Sequence, residues 1–411
     1  MNLAALNFNS QSGGKLLESI AGLASPELVA LAGRLTRAFS IAAPFAPGLH
    51  LIGGEITIDA DPAIASGAAR LSVAGNGETL AAALVSCLGE AADFLSQFER
   101  PGDIEARLAA SDRMNCVAEG WIAEAISGAD RTIDWINASD ASTGRIALLP
   151  ADLCLRRPPA RRAIEPVGAL SSGAAAGPSF EMAALRAVLE LCERDAAAMW
   201  WLGGCRPKRF PLEHPATKAG AELIGRLRQG ETARRTMLLD ITTDIGVPVV
   251  AAVSVDCDGR AMACGLSSRL RASDAATAAV LEMCQMEMAA PVAEAKRAEG
   301  GDTVLNEADR RHLRRAEFAA SACELLHPRD MSPHATSVPA AGLEGLTRHL
   351  RDRGIRLLLV DHTRQDIGVA VARAVSPDLQ PFSIALSTKR FAQARRDNEG
   401  SDIAERETPL L

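Results

Sequence analysis

Residues 171–195 read SSGAAAGPSFEMAALRAVLELCERD. A run of small residues opens into an Ala- and Leu-rich stretch that closes on Glu190-x-x-Glu193-Arg194-Asp195. Residues three apart on a helix lie on the same side of it, so Glu190 and Glu193 present two carboxylates together. Such hard oxygen ligands suit Mg2+. The small-residue loop entering the helix is separately a place where an anion settles on backbone N–H groups. Together the parts suggest a Mg-nucleotide site.

The pattern recurs. Residues 75–94, GNGETLAAALVSCLGEAADF, run from a Gly-rich turn through an Ala-rich helix to Glu90-x-x-Asp93. The step from Gly77 to Glu90 is thirteen positions, the same as from Gly177 to Glu190. A looser third copy, GLSSRLRASDAATAAVLEMCQME at 265–287, ends in Glu282-x-x-Gln285. One Ala-rich helix with glutamates is most often a surface helix with a solvated acidic face. Three copies, two in matching register, favour carboxylates converging on one polyphosphate.

The chain has 411 residues, 48% hydrophobic and 23% charged, enough apolar content for a large core. A net charge of −7 argues against a protein built to bind nucleic acid. The arginine runs RRPPARR (156–162) and RRHLRR (310–315) are short and read as solvated surface. No stretch has the length of a membrane span, and the N-terminus lacks a secretory pattern. None of the nine cysteines forms a C-x-x-C pair, and Cys87, Cys192 and Cys284 fall in apolar helix segments. The protein is expected to be cytoplasmic with reduced thiols.

Along the chain, residues 1–50 are expected to form an N-terminal helical extension available for partner contact. Within it, residues 25–39 form a helix, with Ser25 as N-cap and Pro26 at the first position. Residues 106–126 read as helix, 132–149 as a hairpin, and 236–255 as two β-rich runs. Residues 294–317 read as a charged helix pair, and the proline-bearing 325–341 as a loop. Residues 342–374 give a helix and two strands, and 389–411 a polar C-terminal tail. The fold class is α/β (mixed α+β), with helices packed on sheets and an internal repeat of carboxylate-bearing helices. Trp200-Trp201 reads as packing, and Arg373 as surface. His362 sits in an Asp-His-Thr turn, and His214, His327 and His334 lie in loops without visible partners.

In order, these residues resemble the YcaO-domain family. Its signature, S-N-G-x-A-A-G with a helix ending E-x-x-E-R-D, is matched by Ser171, Ser172, Gly173, Ala175, Ala176, Gly177, Glu190, Glu193, Arg194 and Asp195. Its earlier S-A-L-G-E-A-x-E-R is similar to Ser86, Cys87, Leu88, Gly89, Glu90, Ala91 and Asp93, and its E-x-x-Q to Glu282 and Gln285. The likeness covers about residues 50–380, which makes 51–388 the YcaO domain. Where the family has Lys in G-K-G this chain has Asn76, and Met182, with Glu181 beside it, replaces an acidic residue.

The resemblance implies ATP and Mg2+ as cofactors. It makes Glu90, Asp93, Glu190, Glu193 and Glu282 metal ligands, with Glu190, Glu193 and Arg194 as the catalytic set. Ser86, Asn76, Ser171, Ser172, Glu181, Arg194 and Gln285 are the nucleotide-contacting set. The implied activity is cyclodehydration of Cys, Ser or Thr in a ribosomal precursor peptide of the bacteriocin class, by phosphorylation of the preceding amide oxygen. Thioamide formation, or a non-catalytic scaffold, are the alternatives. Because no leader-binding domain is visible ahead of the YcaO region, the expected partners are the precursor peptide, a leader-binding protein and an FMN-dependent azoline dehydrogenase. A homodimer within a larger complex is expected as well, with no nucleic acid or membrane partner.

Overall fold

The computed structural model describes residues 3–8, 10–58, 70–109, 116–127, 132–167, 170–333, 338 and 341–398. Three sheets organise them. The first is antiparallel, in the order Leu3–Ala5, Leu35–Ile41, His50–Thr57, Arg70–Gly77. The second runs Ala263–Ser268, Val249–Val255, Arg235–Asp240, Lys208–Arg209, Asp330–Met331. The third runs Ala106–Ala109, Thr132–Asp140, Leu358–Asp361, Ala370–Val375, Ala174–Gly177, with Ile146–Pro150 also paired to Thr132–Asp140.

Each carboxylate helix follows a strand of a different sheet. Arg70–Gly77 leads into helix Leu80–Ser96, Ala174–Gly177 into Phe180–Ala197, and Ala263–Ser268 into Ala272–Met286. The first two start on the hydroxyl caps Thr79 and Ser179, which accept the N–H groups of Ala82 and Met182. Strand and helix approach so closely that a side chain does not fit between them. A Cβ on Gly75 would lie 2.2 Å from Ala83 O and Cys87 N, and one on Gly265 would lie 2.2 Å from Ala279 O and Met283 N. The repeat seen in the sequence is therefore a repeated strand–helix unit. The third helix packs on one face of the second sheet through Ala275, Ala279 and Val250. The opposite face carries Trp200 and Trp201 from the π-helical turn Ala198–Leu202 that continues the second helix.

The hairpin Thr132–Asp140/Ile146–Pro150, the pair Arg235–Asp240/Val249–Val255, and helices Ala289–Gly300, Glu307–Glu317 and Gly342–Arg351 form as expected. Other segments differ. Ser25 does cap a helix starting at Pro26, but that helix is only Pro26–Ala30. After the 3-10 turn Leu31–Arg34, the chain extends as Leu35–Ile41 and pairs with His50–Thr57, so the first sheet spans residue 50. Cross-strand pairing outweighs local helix propensity here. Residues 106–126 hold strand Ala106–Ala109 and helix Gly120–Ile126, with 110–115 outside the described residues. In the loop region, Asp330–Met331 pairs with Lys208–Arg209, while His334 lies outside the described residues.

The polar tail begins as a helix, Lys389–Asp397, capped by Thr388 and anchored by Phe391, which is fully buried against the Trp200 cluster. Residues 399–411 lie outside the described set.

Both arginine runs contain core residues. Arg157 donates to Glu99 at 2.9 Å, to Asp152 at 2.5 Å and to Asp134. Arg315 is 4% exposed. Polarity concealed both, because a guanidinium reads as surface until the packing of distant segments around it is known. The cysteines are all free, and Cys87, Cys192 and Cys284 are buried. Among the described residues no helix is long and apolar enough to cross a membrane.

Candidate active site

Two acids of the repeated units reach back to their own strands. Glu90 Oε2 accepts the N–H of Ala74 at 2.7 Å, and Glu282 Oε2 accepts that of Leu266 at 3.1 Å, each across sixteen residues. Glu193 Oε2 accepts the N–H of Ser268 at 3.2 Å, joining the second helix to the third unit's strand. Arg194 Nη2 lies 3.4 Å from Glu190 Oε1 and 3.6 Å from Glu193 Oε1. The Nε and Nη1 atoms of Arg194 are buried with no hydrogen-bond partner among the described residues.

The electrostatics show the helices converging. Burial pushes Glu190 up to about 7, with Glu193 and Asp93 adding to the rise and Arg194 opposing it. Glu282 is pushed up to about 8 by burial and then by Glu193. Asp93, buried and held by Gln97, Arg373 and Arg156, still rises to about 6. Burial raises Glu193 as well, and Glu90, although an exposed residue, is raised by local desolvation with Asp93 adding to it. Acids from the first, second and third helices thus repel one another across a single cluster. Such a set is unfavourable without added positive charge, which a divalent cation supplies.

The donor chemistry fits Mg2+. Among the described residues, no group of three His, Cys, Asp or Glu side chains is arranged to hold a metal by itself. Mg2+ typically takes one or two carboxylates and fills its remaining positions with phosphate oxygens and water. Glu190 retains 25% of its side-chain surface and Arg194 18%, so a ligand can reach both.

Of the nucleotide-contacting candidates, Asn76 donates through Nδ2 to Gln285 Oε1, tying the first sheet to the third helix. Ser171 and Ser172 line a cavity of about 370 Å3 together with Arg194. Ser86 is exposed one turn before Glu90. Glu181 is not brought to the cluster. It is exposed in the first turn of its helix, about 13 Å from Glu190 at 1.5 Å per residue, close to Gly342.

Arg373 corrects the surface expectation. It is 6% exposed, acts on Asp93, and lines the same cavity as Ser171. It stands on Ala370–Val375 opposite Ala174, a register that no local motif reveals. Arg269, between the strand and the helix of the third unit, lowers Glu193, and no local motif singles it out. His362 is 1% exposed, and burial holds it neutral. The neighbouring Asp361 Oδ1 accepts the Thr363 N–H, a turn contact. His214 caps helix Pro215–Arg228, and His327 contacts Ser321 O, so each has a structural partner.

The family model for YcaO cyclodehydratases, described as ATP- and Mg2+-binding, matches residues 74–380. An uncharacterized protein of Methanothermobacter thermautotrophicus is 27% identical over 329 residues, covering 76% of this chain and 82% of that protein. Among solved structures, a heterocyclase in complex with substrate and cofactor superposes at TM-score 0.68 with 20% identity over 95% of this chain. The chain spans only 56% of that heterocyclase. YcaO from Methanopyrus kandleri, bound with AMPPCP and Mg2+, gives TM-score 0.65 and 18% identity over 91% of this chain and 94% of that one. The E. coli microcin synthetase McbBCD complex gives 0.57 and 16% over 80% and 84%. At these identities the structures share the fold.

Proposed function

We propose that this chain, which belongs to the YcaO cyclodehydratase family, is an ATP-dependent enzyme that forms azolines in a ribosomally made precursor peptide. One observation carries the reading: Glu190 of the second helix interacts with Asp93 of the first and Glu282 of the third, Glu193 with Glu282 and Glu90 with Asp93, and Arg194 Nη2 faces Glu190 and Glu193. These five acids would share the Mg2+ between them, one or two carboxylates to an ion with phosphate oxygens and water completing its shell, and its role is to neutralise the charge of the triphosphate. Asn76, Gln285, Ser171 and Ser172 would contact the nucleotide.

The chemistry suits such a site. A peptide thiol or hydroxyl adds to the preceding carbonyl carbon and loses its proton. The carbonyl oxygen takes the γ-phosphoryl group as ADP leaves. The C–O bond then breaks, phosphate departs with that oxygen, and the ring nitrogen releases its proton to form C=N. The enzyme's task is to position the reactants and stabilise the charge on oxygen and phosphorus. Arg194, fixed by Glu190 and Glu193 yet keeping two nitrogens without partners among the described residues, is suited to that task.

The proposed setting is cytoplasmic azole-bacteriocin biosynthesis. A separate protein would grip the leader, an FMN-dependent dehydrogenase would oxidise the azolines, and the chain would act as a homodimer within that complex. The test is turnover with a candidate precursor and its partners. Loss of about 18 Da per event, with phosphate release abolished in Glu190→Gln, is the expected result. A gain of about 16 Da replaces cyclodehydration with thioamidation. No mass change and no phosphate release leaves a scaffold.

A further inference from the structure

Arg194 lies between two surroundings of opposite charge. Its Nη2 faces Glu190 and Glu193, while the residue also lines the 370 Å3 cavity. The other charged residues of that cavity are Arg311 and Arg373, and no carboxylate is among its described lining residues. Ser171 and Ser172 add two hydroxyls, and Trp121 and Phe382 supply apolar wall.

Several of the guanidiniums are incompletely bonded. Arg194 has Nε and Nη1 buried without a partner among the described residues, and Arg373 has Nε in the same condition. Arg315, one helical turn beyond Arg311, is 4% exposed, with Nε, Nη1 and Nη2 all lacking a partner among the described residues. Buried charged donors are costly to leave unbonded, and here they put positive charge beside a cavity whose described lining holds no carboxylate. One bidentate arginine satisfies a carboxylate, whereas a dianion with more oxygens can engage several guanidiniums at once. Apolar walls strengthen that attraction by excluding water.

We propose that this cavity binds the departing phosphate, through Arg194, Arg311 and Arg373 with Ser171 and Ser172, and that Arg315 reinforces the positive field behind Arg311. The inference rests on the cyclodehydratase reading. In that reaction the peptide C–O bond breaks with its electron pair going to oxygen. The resulting phosphate must separate from a metal site that still holds ADP. A chamber of one sign of charge, adjoining the carboxylate cluster at Arg194, gives it a place to go.

The test is a calorimetric titration of inorganic phosphate into the full chain saturated with Mg-ADP. Arg311 is exposed on helix Glu307–Glu317, so Arg311→Gln is not expected to disturb folding. Wild type should bind phosphate saturably, and Arg311→Gln should weaken it about tenfold or more while Mg-ADP affinity stays within about twofold. The neighbouring Arg310→Gln should match wild type.

Unchanged phosphate affinity in Arg311→Gln, or no phosphate binding to a wild type that binds Mg-ADP, overturns the proposal alone. Failure of wild type to bind Mg-ADP removes the enzyme reading and this proposal with it. Lost precursor affinity with phosphate affinity intact assigns the cavity to an acidic residue of the peptide, and also overturns it.

Discussion

Glu193 Oε2 accepts the backbone N–H of Ser268 at 3.2 Å, so the second carboxylate helix is keyed to the strand that feeds the third. Glu90 and Glu282 are keyed in the same way, to Ala74 and Leu266. Backbone donors, rather than the acids' own mutual arrangement, therefore set where three of the five carboxylates stand.

Gly265→Ala should break one of those keys. The added methyl would meet Ala279 O and Met283 N at 2.2 Å, so strand Ala263–Ser268 must lift from helix Ala272–Met286. The expected cost is about 1–3 kcal/mol in denaturant unfolding. Because Leu266 follows directly, Mg-nucleotide affinity should fall too, although no ligand-contacting side chain is altered. A variant of wild-type stability and affinity would contradict the close packing.

Arg157→Met should destabilise strongly. The side chain is 0% exposed and holds Glu99, Asp134 and Asp152, which would be left buried without their shared cation. Breaking such a network by removing one member costs about 3–5 kcal/mol, readable by urea unfolding.

Arg315→Met should act in the opposite direction. This guanidinium is equally buried but has no hydrogen-bond partner among the described residues. Burial, with Arg311 adding to it, lowers its pKa to about 10. Replacing it with an apolar chain of similar length should raise the ligand-free Tm by a few degrees, about 1–2 kcal/mol. A fall in Tm would mean that the residue supports the fold.

The contrast between these two arginines marks how far the sequence could be read. The acids were legible as candidates because helical spacing and a thirteen-residue register are local facts, and in the structure acids of the first and third helices interact with Glu190 of the second. Arg373 and Arg315 were not legible. Their roles depend on Ala174 pairing across a sheet and on a charged helix packing near Cys264. The strand Leu35–Ile41 was hidden for the same reason, since its partner begins at His50.

Asp134 gives the stability a pH dependence. Burial pushes its carboxyl up, but hydrogen bonds from Arg107 and Arg157 more than offset this, leaving it below the usual carboxylate range. A lowered folded-state pKa contributes stability that is fully present above the unfolded value near 4 and is lost as pH falls through the folded value. Asp134→Asn should therefore flatten the decline of Tm below about pH 4. An unchanged acid slope would mean that Asp134 carries none of it.

The most direct test is calorimetric binding of AMPPCP to the full chain, with and without Mg2+, for wild type and for Glu90→Gln, Glu190→Gln and Glu282→Gln. Acids from three helices sharing one metal–triphosphate site predict Mg2+-dependent binding that each substitution weakens by about two orders of magnitude, with the fold retained. Binding that ignores Mg2+, or that survives all three substitutions unchanged, would contradict the account.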